Sequence, residues 1–122
     1  MTLLKRSPLK FGKVSGGAFL AERCQVAETF AERLTGLIGK RGLASGEGLF
    51  FPRCNSIHMW FMRFPIDVVF VDSQYRVTSV YRELRPWRFF PVVDFRASHA
   101  LELPVGSVDR AGVRKGDVLC TS

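Results

Sequence analysis

The chain has 122 residues, of which 47% are hydrophobic and 24% are charged, a balance that predicts one globular domain with its own core and argues against intrinsic disorder. Lysine and arginine number 18 against 11 acidic residues, for a net charge of +7, which favours anionic partners such as nucleic acid, phosphorylated metabolites or anionic lipid. No apolar run reaches the roughly 18 residues that a membrane span needs, and the N-terminus lacks the apolar segment of a secretory signal. We therefore expect a cytoplasmic protein without a membrane span.

The N-terminal third predicts a basic arm, a strand and a helix. Residues 1–17 carry lysine and arginine but no acid, so we expect a mobile arm there and a single mainly-β domain over 18–122. A strand is expected over 18–26. Residues 29–32 fit a capping box, and the apolar residues that follow share one face at helical spacing as far as Gly39. This pattern predicts an amphipathic helix that packs on a sheet.

The middle of the chain is its most apolar part. After an extended segment at 49–51, apolar side chains occupy both alternating positions of residues 54–62, which predicts a central strand covered on both faces. The Phe64-Pro65 pair is expected to bend this strand, because proline cannot donate a hydrogen bond to a ladder. Residues 66–71 and 76–81 flank an Asp-Ser-Gln turn and predict a β-hairpin.

The last third predicts a long loop followed by two strands. Residues 83–94 are rich in proline and aromatic residues and indicate a loop or a cover flap. Strands are expected at 97–103 and 118–120, with a single helical turn between them that Ser107 caps and Gly112 ends. Six or seven short strands with one substantial helix predict a mainly-β fold, in which an antiparallel sheet is closed or stacked on itself.

Three segments resemble, in order and spacing, the family called domain of unknown function 192. They are ERLTGLIGKRGLASGEGLFF at 32–51, IHMWFMRFPIDVVFVD at 57–72 and ALELPVGSVDRAGVRKGDVL at 100–119. The resemblance implies a compact mainly-β domain of the jelly-roll or small-barrel type with one helix packed on it. It implies no activity, cofactor or catalytic residue. Many members carry a Lys-Asn-Thr-like run where this chain has Arg63-Phe64, so ligand contacts by those side chains are expected to be absent here.

Asp67 is the polar residue whose position is most informative. It shares parity with Val69 and Val71, so its carboxylate is expected to point into the sheet. A buried carboxylate needs a cation, for which Arg63 is the nearest candidate in sequence, or several backbone N–H donors. Two interpretations stay open: a structural carboxylate that holds the bend at Phe64-Pro65, or a group that binds a ligand or transfers a proton.

Two other ionisable residues have apolar neighbours in sequence. His58 lies among large apolar side chains, and Glu102 lies between two leucines. His99 has the opposite parity to Glu102 on the same strand and is expected on the other face of the sheet. If the fold brings His58, Asp67 and Glu102 together, they form an acid–base set. An enzyme that uses His58 and Asp67 is therefore one alternative function.

The cysteines predict free thiols. Cys24, Cys54 and Cys120 are far apart and odd in number, which argues against a disulfide framework. Cys54 and His58 have C-x3-H spacing, but a zinc site needs two more ligands supplied by folding. We expect no metal site and no cofactor.

Arginine and aromatic residues are interleaved over 81–90. The guanidinium groups of Arg82, Arg85 and Arg88, together with aromatic planes, suit single-stranded nucleic acid. The same pattern suits a flap whose rings cover the core while its arginines stay in water, and we favour that interpretation. Nucleic-acid binding by these arginines and the basic arm remains an alternative function.

The leading hypothesis is a small binding module and not an enzyme. A polar or anionic small ligand suits the net charge, and a concave site is expected near the bend at Phe64-Pro65. The residues predicted to line it are His58, Trp60, Arg63, Asp67, Trp87 and Glu102. If Asp67 binds the ligand, its replacement by asparagine abolishes binding and leaves the fold intact.

Overall fold

The structure is a computed structural model that describes residues 9–27, 43–59, 62–86 and 90–121. Within these ranges the strands are β1 (Leu9–Lys13), β2 (Ala21–Val26), β3 (Glu47–Pro52), β4 (Ser56–Ile57), β5 (Ile66–Val71), β6 (Val77–Leu84), β7 (Val92–Val93), β8 (His99–Leu103) and β9 (Leu119–Thr121), and the helix α1 (Ser107–Ala111) lies between β8 and β9. The predicted mainly-β fold is confirmed. The helix predicted from residue 29 to Gly39 lies outside the described residues.

Seven strands form one curled sheet in the order β6-β5-β8-β3-β2-β1-β9, and β4 pairs with β7 separately. Neighbouring strands of the large sheet are antiparallel except β2 and β3, which run parallel, so the sheet is mixed. Its two edge strands approach each other through an isolated bridge between Arg76 and Val118. Val77 N donates to Asp117 O, and Gly116 N donates to Val77 O, both at 2.8 Å. These contacts join the edges at one end, which gives a half-barrel.

The two faces of the sheet build two apolar cores. The inner core joins residues from both ends of the sheet, including Phe11 in β1, Val77 in β6 and Leu119 in β9, so it lies inside the curl. The outer core is covered in part by Ile57 of β4 and Val92 of β7. All six residues of β5 are buried, and they alternate between the two cores. This double burial explains why β5 is apolar at both parities.

Part of the predicted N-terminal arm is a strand. Leu9–Lys13 pairs with β2 on one side and with β9 on the other. Phe11 is fully buried, and its ring centroid lies 5.2 Å from that of Phe50. The arm predicted over 1–17 therefore does not extend over these residues. Their alternation of apolar and polar side chains is typical of a half-buried strand, although the basic charges favour an arm.

The predicted central strand is wrong over the described residues 54–59, because β4 covers only Ser56–Ile57 of them. Met59 and Met62 are buried in the outer core, and Met62 N donates to Met59 O at 3.2 Å, so both side chains are buried outside a strand. Pairing of β5 with β6 confirms the predicted hairpin. β5, which begins after the proline, is buried on both faces, as are most residues of β3 and β8.

Candidate functional site

Asp67 in β5 binds three backbone N–H groups. Its side chain is almost completely buried, at 1% exposure. Oδ1 accepts a hydrogen bond from Glu83 N at 2.9 Å, and Oδ2 accepts from Gly106 N at 3.1 Å and from Val108 N at 3.2 Å. Of the two kinds of partner considered for a buried Asp67, a cation or several backbone N–H groups, the structure has the backbone N–H groups. The segments that it joins are the end of β6 and the start of α1, not the bend at Phe64-Pro65.

Unusual backbone geometry turns two of these N–H groups toward Asp67. The register of β5 and β6 shifts between Ile66 and Val68, which marks a bulge in β6 opposite Asp67. Glu83 lies in this bulge with a φ of 52°, and Gly106 precedes α1 with a φ of 95°. Only glycine adopts such a φ without strain, so the positive φ of Glu83 is held in place by its surroundings.

The carboxylate of Asp67, and not Ser107, caps α1. Ser107 is the first helical residue, and its Oγ donates to Pro104 O at 2.7 Å, so the prediction of a serine cap is wrong. The prediction for the other end is confirmed, because Gly112 ends the helix with a φ of 65°.

Glu102 lies on the opposite face of the sheet from Asp67. It is 7% exposed, and its cross-strand neighbours are Leu49 of β3 and Val68 of β5, both members of the outer core. Burial raises the pKa of Glu102 from 4.5 to about 8. Because Asp67 faces the inner core and Glu102 the outer core, and His58 is exposed, the structure does not assemble the three as an acid–base set.

His99 faces the inner core, which confirms that it and Glu102 lie on different faces. Its ring centroid lies 5.4 Å from that of Phe50 and 5.5 Å from that of Tyr75. Its Nδ1 accepts a hydrogen bond from Arg53 N at 3.1 Å. Burial, and after it the charge of Arg53, lowers the pKa of His99. His99 is thus a half-buried histidine that packs on aromatic rings of the inner core and accepts a hydrogen bond at Nδ1.

The three cysteines are free thiols. Cys24 is buried in the inner core, and burial raises its pKa. The half-buried Cys54 donates from Sγ to Ser56 O at 3.2 Å, and Cys120 is exposed on β9. Within residues 9–27, 43–59, 62–86 and 90–121, no three His, Cys, Asp or Glu side chains are grouped so that they could hold a metal ion.

The residues predicted to line a site near Phe64-Pro65 fall into three groups. His58 and Arg63 are exposed, whereas Asp67 and Glu102 are buried on opposite faces of the sheet. Trp60 and Trp87 lie outside the described residues, as does Arg88 of the alternative nucleic-acid site, while Arg82 and Arg85 are exposed.

A cationic groove lies between the edge of β6 and the turn that follows α1. Its volume is about 380 Å³. We call the line along which the edge strands β6 and β9 approach each other the seam. In the described part of the chain, no strand pairs with β6 on this side beyond Val77, so the seam is open along the rest of β6 and the groove lies there. Four of the eight described lining residues have cationic side chains, and none is acidic. The eight residues are Thr78, Ser79, Val80, Arg82, Arg96, Val113, Arg114 and Lys115.

Two of the four cations are held by carboxylates. Arg82 Nε lies 2.7 Å from Asp109 Oδ1, a pair that links β6 to α1 across the seam. Arg96 Nε lies 3.3 Å from Asp94 Oδ1, and Arg96 Nη2 donates to Thr78 O at 3.3 Å. Each guanidinium keeps further N–H groups that these contacts do not use.

Asp94 is buried beneath the groove and stays ionised at neutral pH. Burial opposes its ionisation, but hydrogen bonds from Ser79, Thr78 and Arg96 outweigh burial and lower the pKa of Asp94 from 3.8 to about 2. The shortest of these bonds is the one from Ser79 Oγ to Asp94 Oδ2, at 2.6 Å. This anion fixes the position of Arg96 at the groove wall.

The other two cations have unpaired side chains within the described residues. Arg114 and Lys115 are exposed, and they follow α1 in a tight turn. Arg114 N donates to Asp117 Oδ2 at 2.8 Å, so the backbone of the turn is held while both side chains stay available. An anion that enters the groove therefore meets two anchored guanidinium groups and two adaptable cations.

Sequence reasoning identified only Arg82 among these cations. Arg96, Arg114 and Lys115 lie in two other segments. Contacts of Ser79 with Asp94 and of Thr78 with Arg96 bring Arg96 to β6, and the contacts at Val77 and Arg76 bring the turn with Arg114 and Lys115 there. No local spacing connects the three segments, so no motif marks them. The only signal in the sequence is the net charge.

A small mainly-β half-barrel with a cationic groove at its seam is the class of protein that the fold and the groove define. The chain belongs to the family DUF192, described as "Uncharacterized ACR, COG1430", whose model matches residues 13–121. The resemblance found in the sequence is thereby confirmed.

Two relatives carry the name UPF0127 protein. A UPF0127 protein of Thermococcus sibiricus is 38% identical over 99 residues, which are 78% of this chain and 63% of that protein. UPF0127 protein PH1112 of Pyrococcus horikoshii is 35% identical over 99 residues, 76% of this chain and 82% of that protein. The chain thus spans less than two thirds of the length of the Thermococcus relative.

Two solved structures share the fold. A "putative transcription regulator (R01717)" from Sinorhizobium meliloti 1021 has a TM-score of 0.85 at 23% identity, with 99% of this chain and 97% of that chain covered. A protein of unknown function from Novosphingobium aromaticivorans DSM 12444 has a TM-score of 0.79 at 26% identity, with 93% and 83% covered.

Helices with the length and hydropathy for a membrane crossing are absent from the part of the chain that the structure describes.

Proposed function

We propose that this protein is a binding module for a small anionic ligand, and that the ligand binds in the groove at the β6 seam. The observation that carries the proposal is the lining of that groove, which has four cations and no carboxylate among the described residues. Oxygen anions such as phosphate and carboxylate match guanidinium and ammonium donors in charge and in hydrogen-bond geometry.

The size and construction of the groove support a small ligand. A volume of about 380 Å³ is within the range of roughly 300–1,000 Å³ typical of small-molecule sites. Arg82 and Arg96 are held by Asp109 and Asp94, so little side-chain entropy is lost when they bind an anion. The charges of Asp109 and Asp94 offset part of the positive field, which leaves Arg114 and Lys115 to supply most of the net attraction.

The test is a titration with pyrophosphate, followed by amide chemical shifts in ¹H–¹⁵N spectra. We expect shifts at residues 78–82, 96 and 113–115, and a dissociation constant that rises with added salt because exposed charges are screened. Joint replacement of Arg114 and Lys115 by alanine is expected to weaken binding by about tenfold or more, since each charge-assisted contact contributes about 1.5–3 kcal/mol. The backbone bond from Arg114 N to Asp117 remains in this variant.

Two single variants act as controls. Arg23→Ala removes an exposed cation from β2 and is expected to leave the affinity for pyrophosphate unchanged. Arg63→Ala tests the site predicted from sequence near Phe64-Pro65. If Arg63→Ala weakens binding and the Arg114/Lys115 variant does not, the ligand binds at the sequence-predicted site. If pyrophosphate shifts no amide, the anion-binding proposal is wrong.

Nucleic-acid binding is the second candidate function. Arg82 and Arg85 are exposed, and Arg82 lines the groove, which favours contact with a phosphate backbone. Affinity for a single-stranded oligonucleotide should then fall steeply with salt and decrease in the joint Arg85→Ala, Arg88→Ala variant. Salt-independent binding would exclude this function.

A further inference from the structure

Phe95 is an exposed aromatic residue that lies one position before the groove-lining Arg96. It is 89% exposed. Within the described residues its ring makes no aromatic or cation–π contact. The ring belongs to neither core, and most of its surface is open to solvent.

The backbone that carries Phe95 is fixed on three sides. Asp94 Oδ1 accepts a hydrogen bond from Arg96 N at 3.0 Å, and Asp94 O accepts one from Ala97 N at 3.0 Å, so residues 94–97 form a closed turn. Ser79 ties this turn to β6 through Asp94 Oδ2. Asp94 N donates to Asn55 O at 2.9 Å. An aromatic ring on a fixed turn is pre-organised for stacking.

A ring beside cations is the combination that binds nucleotides. Cationic side chains pair with phosphate, and an exposed aromatic ring stacks on the planar base, which offers a π-face whatever its sequence identity. The groove has room for a phosphate and a sugar, and Phe95 directly precedes Arg96, which forms part of the groove wall. A purely inorganic anion would use the cations and leave the ring without a role.

We infer that the anionic ligand of the groove is a nucleotide, either free or within a single strand, whose phosphate binds the groove cations and whose base stacks on Phe95. This inference rests on the proposed anion-binding function and specifies its ligand class. It assigns Phe95 as the residue that distinguishes a nucleotide from a phosphate without a base.

The experiment compares adenosine 5′-monophosphate with ribose 5-phosphate, which carries the same charge and lacks the base. Dissociation constants are measured by calorimetry at one fixed salt concentration. We expect adenosine monophosphate to bind roughly tenfold more tightly, in line with the effect of one stacked base. Phe95→Ala should remove this difference without changing the affinity for ribose 5-phosphate, and Phe95→Trp should restore it.

Phe19→Ala is the matched control, since Phe19 is also an exposed phenylalanine and lies in the connection between β1 and β2, outside the described groove lining. It is expected to bind both compounds as the unaltered protein does. A short oligo-deoxyadenosine that binds more tightly than the mononucleotide, with a steeper dependence on salt, would identify a single strand as the source of the base. Equal affinities would identify the free nucleotide.

The inference would be overturned if the unaltered protein bound adenosine monophosphate and ribose 5-phosphate equally, or if Phe95→Ala kept the preference for adenosine monophosphate. Anion binding in the groove would stand in either case. If pyrophosphate, adenosine monophosphate and ribose 5-phosphate all failed to bind, the inference and the proposed function would both be overturned.

Discussion

Glu102 is a carboxyl group surrounded by apolar side chains on a strand inside the sheet, and its protonation is linked to folding. Its pKa is about 8 in the folded protein and 4.5 ordinarily. Between those values the folded protein holds a proton that the unfolded chain has lost. The free energy of unfolding therefore falls as pH rises from 4.5 to about 8, with at most about 1.4 kcal/mol lost per pH unit through this group. Below pH 4.5 its stabilising contribution is fully present.

Glu102→Gln is expected to remove this dependence. Urea unfolding of the unaltered protein and the variant should give similar free energies at pH 4.5, and the variant should be the more stable one at pH 9. Glu22→Gln, which changes an exposed residue of β2, provides the control for loss of a surface charge. A difference between the Glu102 variant and the unaltered protein that stays constant with pH would contradict the burial of an ionisable carboxyl at this position.

The three backbone bonds of Asp67 predict a structural phenotype. In Asp67→Asn the amide group cannot accept from N–H groups as both carboxylate oxygens do, so buried donors at Gly106, Val108 or Glu83 lose partners. An unsatisfied buried donor costs about 1–3 kcal/mol, and we expect a loss of about 3 kcal/mol in urea unfolding. Asp72→Asn is the control, because Asp72 Oδ1 binds Gln74 N and Arg76 N in a turn that is only partly buried, and its loss should be about 1 kcal/mol. Unchanged stability of Asp67→Asn would favour a ligand-binding role for this carboxylate.

Elements with a strong local signal were predictable from sequence, and those that depend on distant contacts were not. The β5–β6 hairpin follows from alternation around a turn, and the end of α1 follows from Gly112. The alternation of side chains along a strand was enough to predict that Asp67 points inward and that His99 and Glu102 lie on opposite faces of the sheet. The strand predicted from the apolar residues at 54–59 was wrong because side chains such as Met59 are buried in the outer core without belonging to a ladder, and periodicity alone does not distinguish these two kinds of burial.

The candidate site was less predictable than the fold for the same physical reason. Its cations come from β6, from the turn at 94–97 and from the turn after α1. They meet because Ser79 and Thr78 hold the turn with Arg96 on β6 and because the edges of the sheet join near Arg76. The capping of α1 by Asp67 also cannot be predicted from the sequence around the helix, because its donors Gly106 and Val108 are about forty residues from Asp67. Composition indicated an anionic partner but gave no position for it.

At the scale of the whole molecule, β1 is the link that completes the half-barrel. It lies between β2 and β9, and Phe11 in its centre contacts the rings of Phe50 in β3 and Tyr75, which directly precedes Arg76 at the seam. Leu119 N also donates to Tyr75 O at 2.8 Å. The Phe11 side chain therefore packs where the two ends of the sheet meet.

Phe11→Ala is expected to destabilise the entire fold. Removal of a fully buried phenylalanine costs about 3–5 kcal/mol, and the cavity would lie at the join that holds β9, and thus the turn with Arg114 and Lys115, against β6. We expect a lower urea midpoint and, in the folded fraction, weaker binding of pyrophosphate, because the groove cations are no longer held together. Phe19→Ala, at an exposed position, should change the free energy of unfolding by less than about 1 kcal/mol. Equal stability of the two variants would mean that β1 belongs to a mobile N-terminal arm, and the half-barrel would then have to close without it.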